Sequence, residues 1–211
     1  EYKTINQPKF FLGVKYALLR KNILKAERKK NNNRIFMSFG GGEVYNRIKG
    51  LLGLLLLLDK ELDFSITVDF VISGKRDNKE QIRTSLAPCK KLKFNFIENQ
   101  MDLSSHMARA NFAVTAAGST VYELACLGVP QIVFIIDKNQ KITGQKINET
   151  GLGSCLGDIR TINFYDFQKI FISFLENEEM KTDMSRRSQS LIDDKGTQRV
   201  ANGILEHYGY N

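Results

Sequence analysis

FAVTAAGSTVYELACLGVPQIVFII, running from Phe112 to Ile136, carries the pattern on which the fold turns. Phe112 to Thr115 is apolar and short, as a buried strand is, and the small residues Ala116, Ala117, Gly118 and Ser119 then allow a tight turn into a helix that starts near Thr120. Gly128 falls where a left-handed C-terminal cap is expected, Pro130 prevents further helix, and Gln131 to Ile136 resumes as a second apolar strand. Strand, turn, helix, strand is the repeating unit of a parallel sheet. In it the carboxyl end of the first strand and the N-terminus of the helix frame a crevice. Free backbone N–H groups and the helix dipole favour an anion there, so a phosphate-bearing ligand suits it.

The same unit recurs upstream. Arg34 to Phe39 (RIFMSF) reads as the first strand, running into Gly40, Gly41 and Gly42 and then a long apolar helix from about Glu43 to Leu62. Such a glycine run either lets a ligand approach the backbone closely or simply makes a tight turn. It is not the dinucleotide fingerprint, because Tyr45 stands where the third glycine belongs, and no GxxxxGK[ST] loop occurs, so nicotinamide and P-loop chemistry are not expected. Ser65 to Ser73 and Leu92 to Ile97 read as further strands, Asn78 to Leu86 and Met101 to Arg109 as helices, the latter capped by Asp102 or Ser104. Past the opening stretch, Asn139 to Thr150 reads as helix, Gly151 to Gly157 as a glycine-rich turn and Thr161 with Ile162 as a last short strand. Phe164 to Glu176, Glu178 to Ile192 and Thr197 to Tyr208 read as closing helices. The expected architecture is α/β, a doubly wound and mostly parallel sheet of about six strands with helices on both faces and no internal repeat.

A chain of 211 residues with 42% apolar content can bury a full core. Its longest apolar run, Leu54 to Leu58, falls far short of the ~20 residues of a membrane span. Cys89, Cys126 and Cys155 are scattered, odd in number and without metal-ligand spacing, as reduced thiols of a cytoplasmic protein are. EYKTINQ, with no initiating Met or signal-like segment, reads as a cut inside a longer protein. The net charge of +8 is concentrated: residues 1–34 hold ten Lys or Arg and two acids, and 31 less 10 basic and 23 less 2 acidic residues leave 21 of each in a neutral body. Residues 1–33 are therefore expected to be a basic lead-in, with Tyr16 to Lys30 as a helix or linker, and residues 34–211 the α/β domain. Nucleic-acid binding is not expected, since basic residues are not interleaved with aromatics and no binding motif is present.

SFGGGEVYN after one strand, TAAGSTVYELACLGVP after another and IIDKNQ after a third resemble the C-terminal, nucleotide-sugar-binding half of B-type glycosyltransferase-fold (GT-B) proteins. The nearest resemblance is to UDP-sugar hydrolases of pseudaminic acid synthesis and their spore-coat polysaccharide relatives, in which the stretch here written FFLGVKYALLRKN leads in from an interdomain linker. It extends from about Phe11 to Gly157. Non-hydrolysing UDP-GlcNAc epimerases usually carry a serine-glycine-glycine turn and paired glutamates, which Gly118 to Glu123 lack. The resemblance implies that Gly41, Gly42, Ala117, Gly118, Ser119 and Thr120 cradle the diphosphate of a UDP-sugar. It implies further that backbone around Ile97 holds the uracil, that Glu123 accepts from the ribose hydroxyls, and that Asn139 and Gln140 face the sugar. Glu43 departs from the Asp more usual in the family. Neither metal nor cofactor is implied, and the family's catalytic groups, a histidine by a glycine-rich loop among them, belong to an N-terminal domain outside this sequence.

Simpler roles compete for the same residues. Thr120-Val-Tyr-Glu123 is also a capping box, and Asn139 and Gln140 could merely start a helix. His106 and His207 lie near helix ends and read as surface or capping residues. No Cys–His or carboxylate pair marks a self-contained active site, so the chemistry is expected to be shared across a cleft. The leading expectation is the UDP-sugar-binding half of an enzyme that hydrolyses a nucleotide-linked deoxyamino sugar. The alternatives are the corresponding half of a nucleotide-sugar glycosyltransferase and a non-catalytic nucleotide- or partner-binding module.

Overall fold

The structure, a computed structural model, describes residues 9–207, so Glu1 to Gln7 and Tyr208 lie outside the described residues. One sheet takes β1 (Asn31–Ser38), β2 (Ile66–Val71), β3 (Leu92–Ile97), β4 (Ala110–Ala116), β5 (Gln131–Ile135) and β6 (Ser154–Asp158) in the order β3-β2-β1-β4-β5-β6. Every pairing is parallel. The chain winds outward from β1 to β3 in one direction and from β4 to β6 in the other. Between β1 and β4 the winding reverses, so their crossover connections leave on opposite faces and a crevice opens at their carboxyl ends.

The central strands are buried on both sides, which is why they read as continuous apolar runs: all of β4 is buried, and β1 from Ile35 to Ser38. One face, carrying Ile35, Met37, Val68, Phe70, Phe112 and Val114, is covered by α2 (Tyr45–Glu61), α3 (Arg76–Leu86) and α7 (Phe164–Glu176). The other, carrying Phe36, Ala113 and Val133, lies under α4 (Ser104–Arg109), α5 (Thr120–Cys126) and α6 (Lys141–Thr150). Next, α8 (Glu178–Leu191) touches both α7 and α5 and so straddles the layers, and α9 (Gly196–His207) follows. Among the described residues no helix is long and apolar enough to cross a membrane.

Local signals account for the element ends. Gly128 takes φ +66° and, with Val129, returns hydrogen bonds to Ala125 O (3.0 Å) and Leu124 O (2.8 Å), a Schellman closure of α5. At the far end of α2, Asp59 is buried and accepts from the backbone N–H groups of Lys90 (2.8 Å), Lys91 (2.7 Å) and Leu92 (2.6 Å), fixing where β3 begins. α2 starts at Tyr45 rather than Glu43 because Asn78 Oδ1 accepts from Tyr45 N at 2.8 Å and sets the first turn.

Two expectations change. The last strand is Ser154–Asp158, inside the stretch read as a glycine-rich turn, while Thr161 and Ile162 form no strand. Gly151 (φ +71°) ends α6 in the left-handed region, and the Asn148 amide then brackets Cys155 as a neighbouring strand would, accepting from its N–H at 2.7 Å and donating to its carbonyl at 3.0 Å. This half-buried edge strand has no apolar alternation to betray it. Thr161 instead donates its N–H back to Asp158 O at 3.0 Å, closing a turn.

The lead-in is also not a continuous helix. It consists of a 3-10 turn (Val14–Tyr16), a single short helix α1 (Lys21–Lys25) and extended backbone, and β1 starts at Asn31 instead of Arg34. Helix α1 is confined to these five residues because the backbone is extended on either side of it, at Arg20 (ψ 141°) and Ala26 (ψ 129°). The strap docks: Ile23 is buried among Phe36, Met107 and Leu124, Lys29 N donates to Ala108 O (3.0 Å) and Arg28 Nη1 to the same oxygen (2.7 Å). Burial pushes the Arg28 guanidinium down to about 10.

Candidate functional site

The two glycine turns follow the neighbouring strands β1 and β4, on either side of the reversal point. Ser38 of β1 lies opposite Thr115 of β4, and three residues beyond each of them come Gly41 and Gly118. Gly40 (φ +86°) and Gly42 (φ +84°) adopt backbone that only glycine takes readily. Their loop is held from the β2 side: Ser73 Oγ donates to Gly40 O at 3.0 Å, and a Cβ on Gly74 would lie 2.5 Å from Gly42 O. Gly41 and Gly118 differ. Neither has positive φ, and a Cβ on either would meet nothing within 4 Å. Neither conformation nor packing within the chain calls for glycine there, whereas close approach of a ligand would.

In the second turn Ala117 N donates to Phe134 O (2.8 Å) and Gly118 N to Ala116 O (2.7 Å), and the Ala117 side chain is buried. Helical bonding resumes with Val121 N to Gly118 O (3.2 Å) and Tyr122 N to Ser119 O (3.0 Å). Among the described residues the N–H groups of Ser119 and Thr120 find no backbone acceptor, so these two, rather than that of Ala117, are the donors the turn leaves open.

Glu123 sits one turn further along α5 with a side chain only 9% exposed. The capping box is not formed, since Ser119 is the N-cap and makes no side-chain bond. The carboxylate goes instead to Arg20 of the lead-in: Nε donates to Oε1 at 2.6 Å and Nη2 to Oε2 at 2.8 Å, while Nη1 donates to Met101 O at 2.8 Å. This pairing raises the Arg20 pKa, with burial opposing.

The remaining expected residues lie along the same carboxyl edge. Ile97 ends β3 and is buried, and its carbonyl accepts from Ile72 N at 3.0 Å. It is followed by Glu98, held by Lys79 at 2.8 Å and by Arg83, and by Asn99 at φ 52°. Beyond β5, Asp137 caps a 3-10 turn, Lys138–Gln140, by accepting from Lys138 N (2.7 Å), so Asn139 does not start the helix. Asn139 is exposed, whereas Gln140 Oε1 is engaged by Ile136 N at 3.0 Å. Arg47, in the first turns of α2, reaches Asp137 at 3.3 Å.

One cluster went unforeseen. Asp69, in the middle of β2 and fully buried, accepts from Arg34 Nη1 (2.7 Å) and Asn95 Nδ2 (2.8 Å) at one oxygen and pairs with His106 Nδ1 (2.9 Å) at the other. Burial alone would raise its pKa, but the bonds from Asn95, His106 and Arg34 outweigh it and the net shift is downward. His106 is thus neither a surface nor a capping residue but part of a buried polar knot beneath α4. His207 is exposed in the last turn of α9. The cysteines are poor nucleophiles: burial, with Asp59 nearby, pushes Cys89 up to about 11, and burial also raises Cys126 and Cys155.

No protein-family model matches the chain. Among curated proteins it is similar to the spore coat polysaccharide biosynthesis protein SpsG of Bacillus subtilis, 25% identical over 186 residues, which are 85% of this chain and 52% of that protein. Among solved structures, MurG of Acinetobacter baumannii superposes with a TM-score of 0.68 at 17% identity, over 96% of this chain and 57% of that one. The co-structure of S. aureus MnaA with UDP gives 0.62 at 16%, over 92% and 49%. WaaG, a glycosyltransferase of lipopolysaccharide biosynthesis, gives 0.57 at 14%, over 92% and 54%. The chain therefore spans about half the length of these proteins. Its six-stranded, doubly wound parallel sheet is the Rossmann-like half of a GT-B fold.

Proposed function

We propose that this domain binds a UDP-sugar at the crevice between β1 and β4 and serves as the donor-binding half of a two-domain nucleotide-sugar enzyme, with residues 34–211 as the binding domain and the lead-in before it docked upon it. The observation that carries the reading is the pair Gly41 and Gly118, at equivalent places beyond adjacent strands, where nothing inside the chain demands glycine. With the free Ser119 and Thr120 amides and the start of the 17-residue helix α2, they would make a cradle of the polarity a diphosphate needs. Ile97 would hold the uracil edge, Glu123 the ribose hydroxyls, and Asn139 with Gln140 the sugar. The UDP bound to MnaA supports the ligand class. Sugar transfer is favoured over hydrolysis, because a glycosyltransferase is among the structural neighbours and SpsG belongs to polysaccharide biosynthesis. The groups that attack or protonate the sugar are assigned to the other half of the enzyme.

Calorimetry on the 211-residue chain tests the ligand class. UDP is expected to bind more tightly than ADP. Equal or tighter ADP binding, or tight salt-sensitive binding of single-stranded RNA, would remove the uridine reading.

A further inference from the structure

A buried carboxylate one helical turn from a diphosphate cradle poses an electrostatic problem. Residues three apart on a helix have Cβ atoms about 5–6 Å apart, so Glu123 stands close to Thr120 and to any phosphate held there. At that range, in a partly buried site, two like charges repel strongly. The site proposed above would then hold a ribose through a group that expels the phosphates.

We propose that Arg20 is the charge-neutralising residue of the nucleotide site, its two-pronged grip on Glu123 allowing a carboxylate to serve the ribose beside a diphosphate. This rests on the UDP-sugar reading and deepens it. Both Arg20–Glu123 bonds are short, and together they use one lone-pair position on each carboxylate oxygen. A carboxylate offers about four such positions, so one on each oxygen remains for a vicinal diol. Arg20 is itself held from a third direction by Met101 O at 2.8 Å, so the fork is aimed before any ligand arrives. Asp102, next along that loop, is the other acid that faces the guanidinium. Among the described residues no further ion pair reaches Glu123. Lysine would supply charge without the planar fork, and glutamine would supply a donor without charge.

The experiment is titration of the full 211-residue chain with uridine, UMP and UDP, in the parent, Arg20→Gln, Arg20→Lys and Glu123→Gln proteins and in the Arg20→Gln/Glu123→Gln double variant. Arg20→Gln is expected to weaken UDP by at least ~10-fold, UMP by less and uridine by under ~3-fold, because the unmasked carboxylate repels in proportion to ligand charge. Arg20→Lys should stay within ~3-fold of the parent for UDP. In the Glu123→Gln background, removing Arg20 should change all three affinities by under ~3-fold. An equal loss for uridine and UDP, no loss for UDP, or a graded loss that persists in the Glu123→Gln background would each overturn the proposal. A parent chain that binds no UDP would instead fell the nucleotide-sugar reading, and this inference with it.

Discussion

Asp69 shows what a single charged residue inside an apolar strand requires. Its carboxylate has no solvent, and three donors from two flanking strands and a helix stand in for water. Because its folded pKa is depressed below the unfolded value, the stability it contributes is present above about 3.9 and is lost as pH falls through the lower folded value. Asp69→Asn should therefore cost about 2–4 kcal/mol at pH 7, since Arg34 would be left with its charge partly buried and unpaired. Urea unfolding at pH 7 and pH 3 checks this: the gap between variant and parent should narrow markedly at pH 3, and a constant gap would contradict the assignment. UDP affinity should not change, because the cluster lies beneath α4 and not at the crevice.

At the scale of elements, one side of the proposed cradle, the Gly40 to Gly42 turn, is braced by the loop after β2. The loop after β2 supplies Ser73 to Gly40 and Asn78 to the start of α2, and Gly74 leaves room for the Gly42 carbonyl. Gly74 has φ +90°, so a methyl there strains the backbone and also drives into backbone oxygen at 2.5 Å, which no side-chain rotation can relieve. Gly74→Ala should cost roughly 1–3 kcal/mol. It should also weaken UDP binding although Gly74 is not among the residues proposed to hold the nucleotide. Melting temperature and UDP calorimetry on the same preparation check the two effects together. A destabilised variant with parental UDP affinity would mean that the Gly40 to Gly42 loop does not bear on the nucleotide.

For the molecule as a whole, the imidazole and thiol groups best suited to proton transfer or nucleophilic attack are held back. His106 is committed to Asp69, and burial keeps all three thiols protonated at neutral pH. General acid–base catalysis needs a group within hydrogen-bond reach of the reacting atoms. The purified 211-residue chain should thus bind UDP yet release no UDP from UDP-N-acetylglucosamine in a coupled assay. Turnover abolished by His106→Ala in a protein that stays folded would locate the chemistry in this domain after all.

Local sequence determined the elements and their kind. The apolar runs of β1 and β4, Gly128 with Pro130, and the two small-residue turns each act through chain sterics and burial within a few residues, so strand, turn, helix and strand were legible from Phe112 to Ile136. That the two turns follow neighbouring strands was decided by the strand order, which places β1 beside β4. β6 escaped because an edge strand half in water needs no apolar alternation, and its outer pairing comes from the Asn148 side chain rather than from a strand. The partners of charged groups could be decided only in three dimensions. Asp69 signalled, as a charge in SITVDFVIS, that a partner must exist, but Arg34, Asn95 and His106 come from three other elements. Arg20 and Glu123 are 103 residues apart, and no local pattern links them. Side-chain pairing across such distances is set by how the layers stack, so the lead-in that read as a basic linker proved, once folded, to hold the carboxylate of the proposed site.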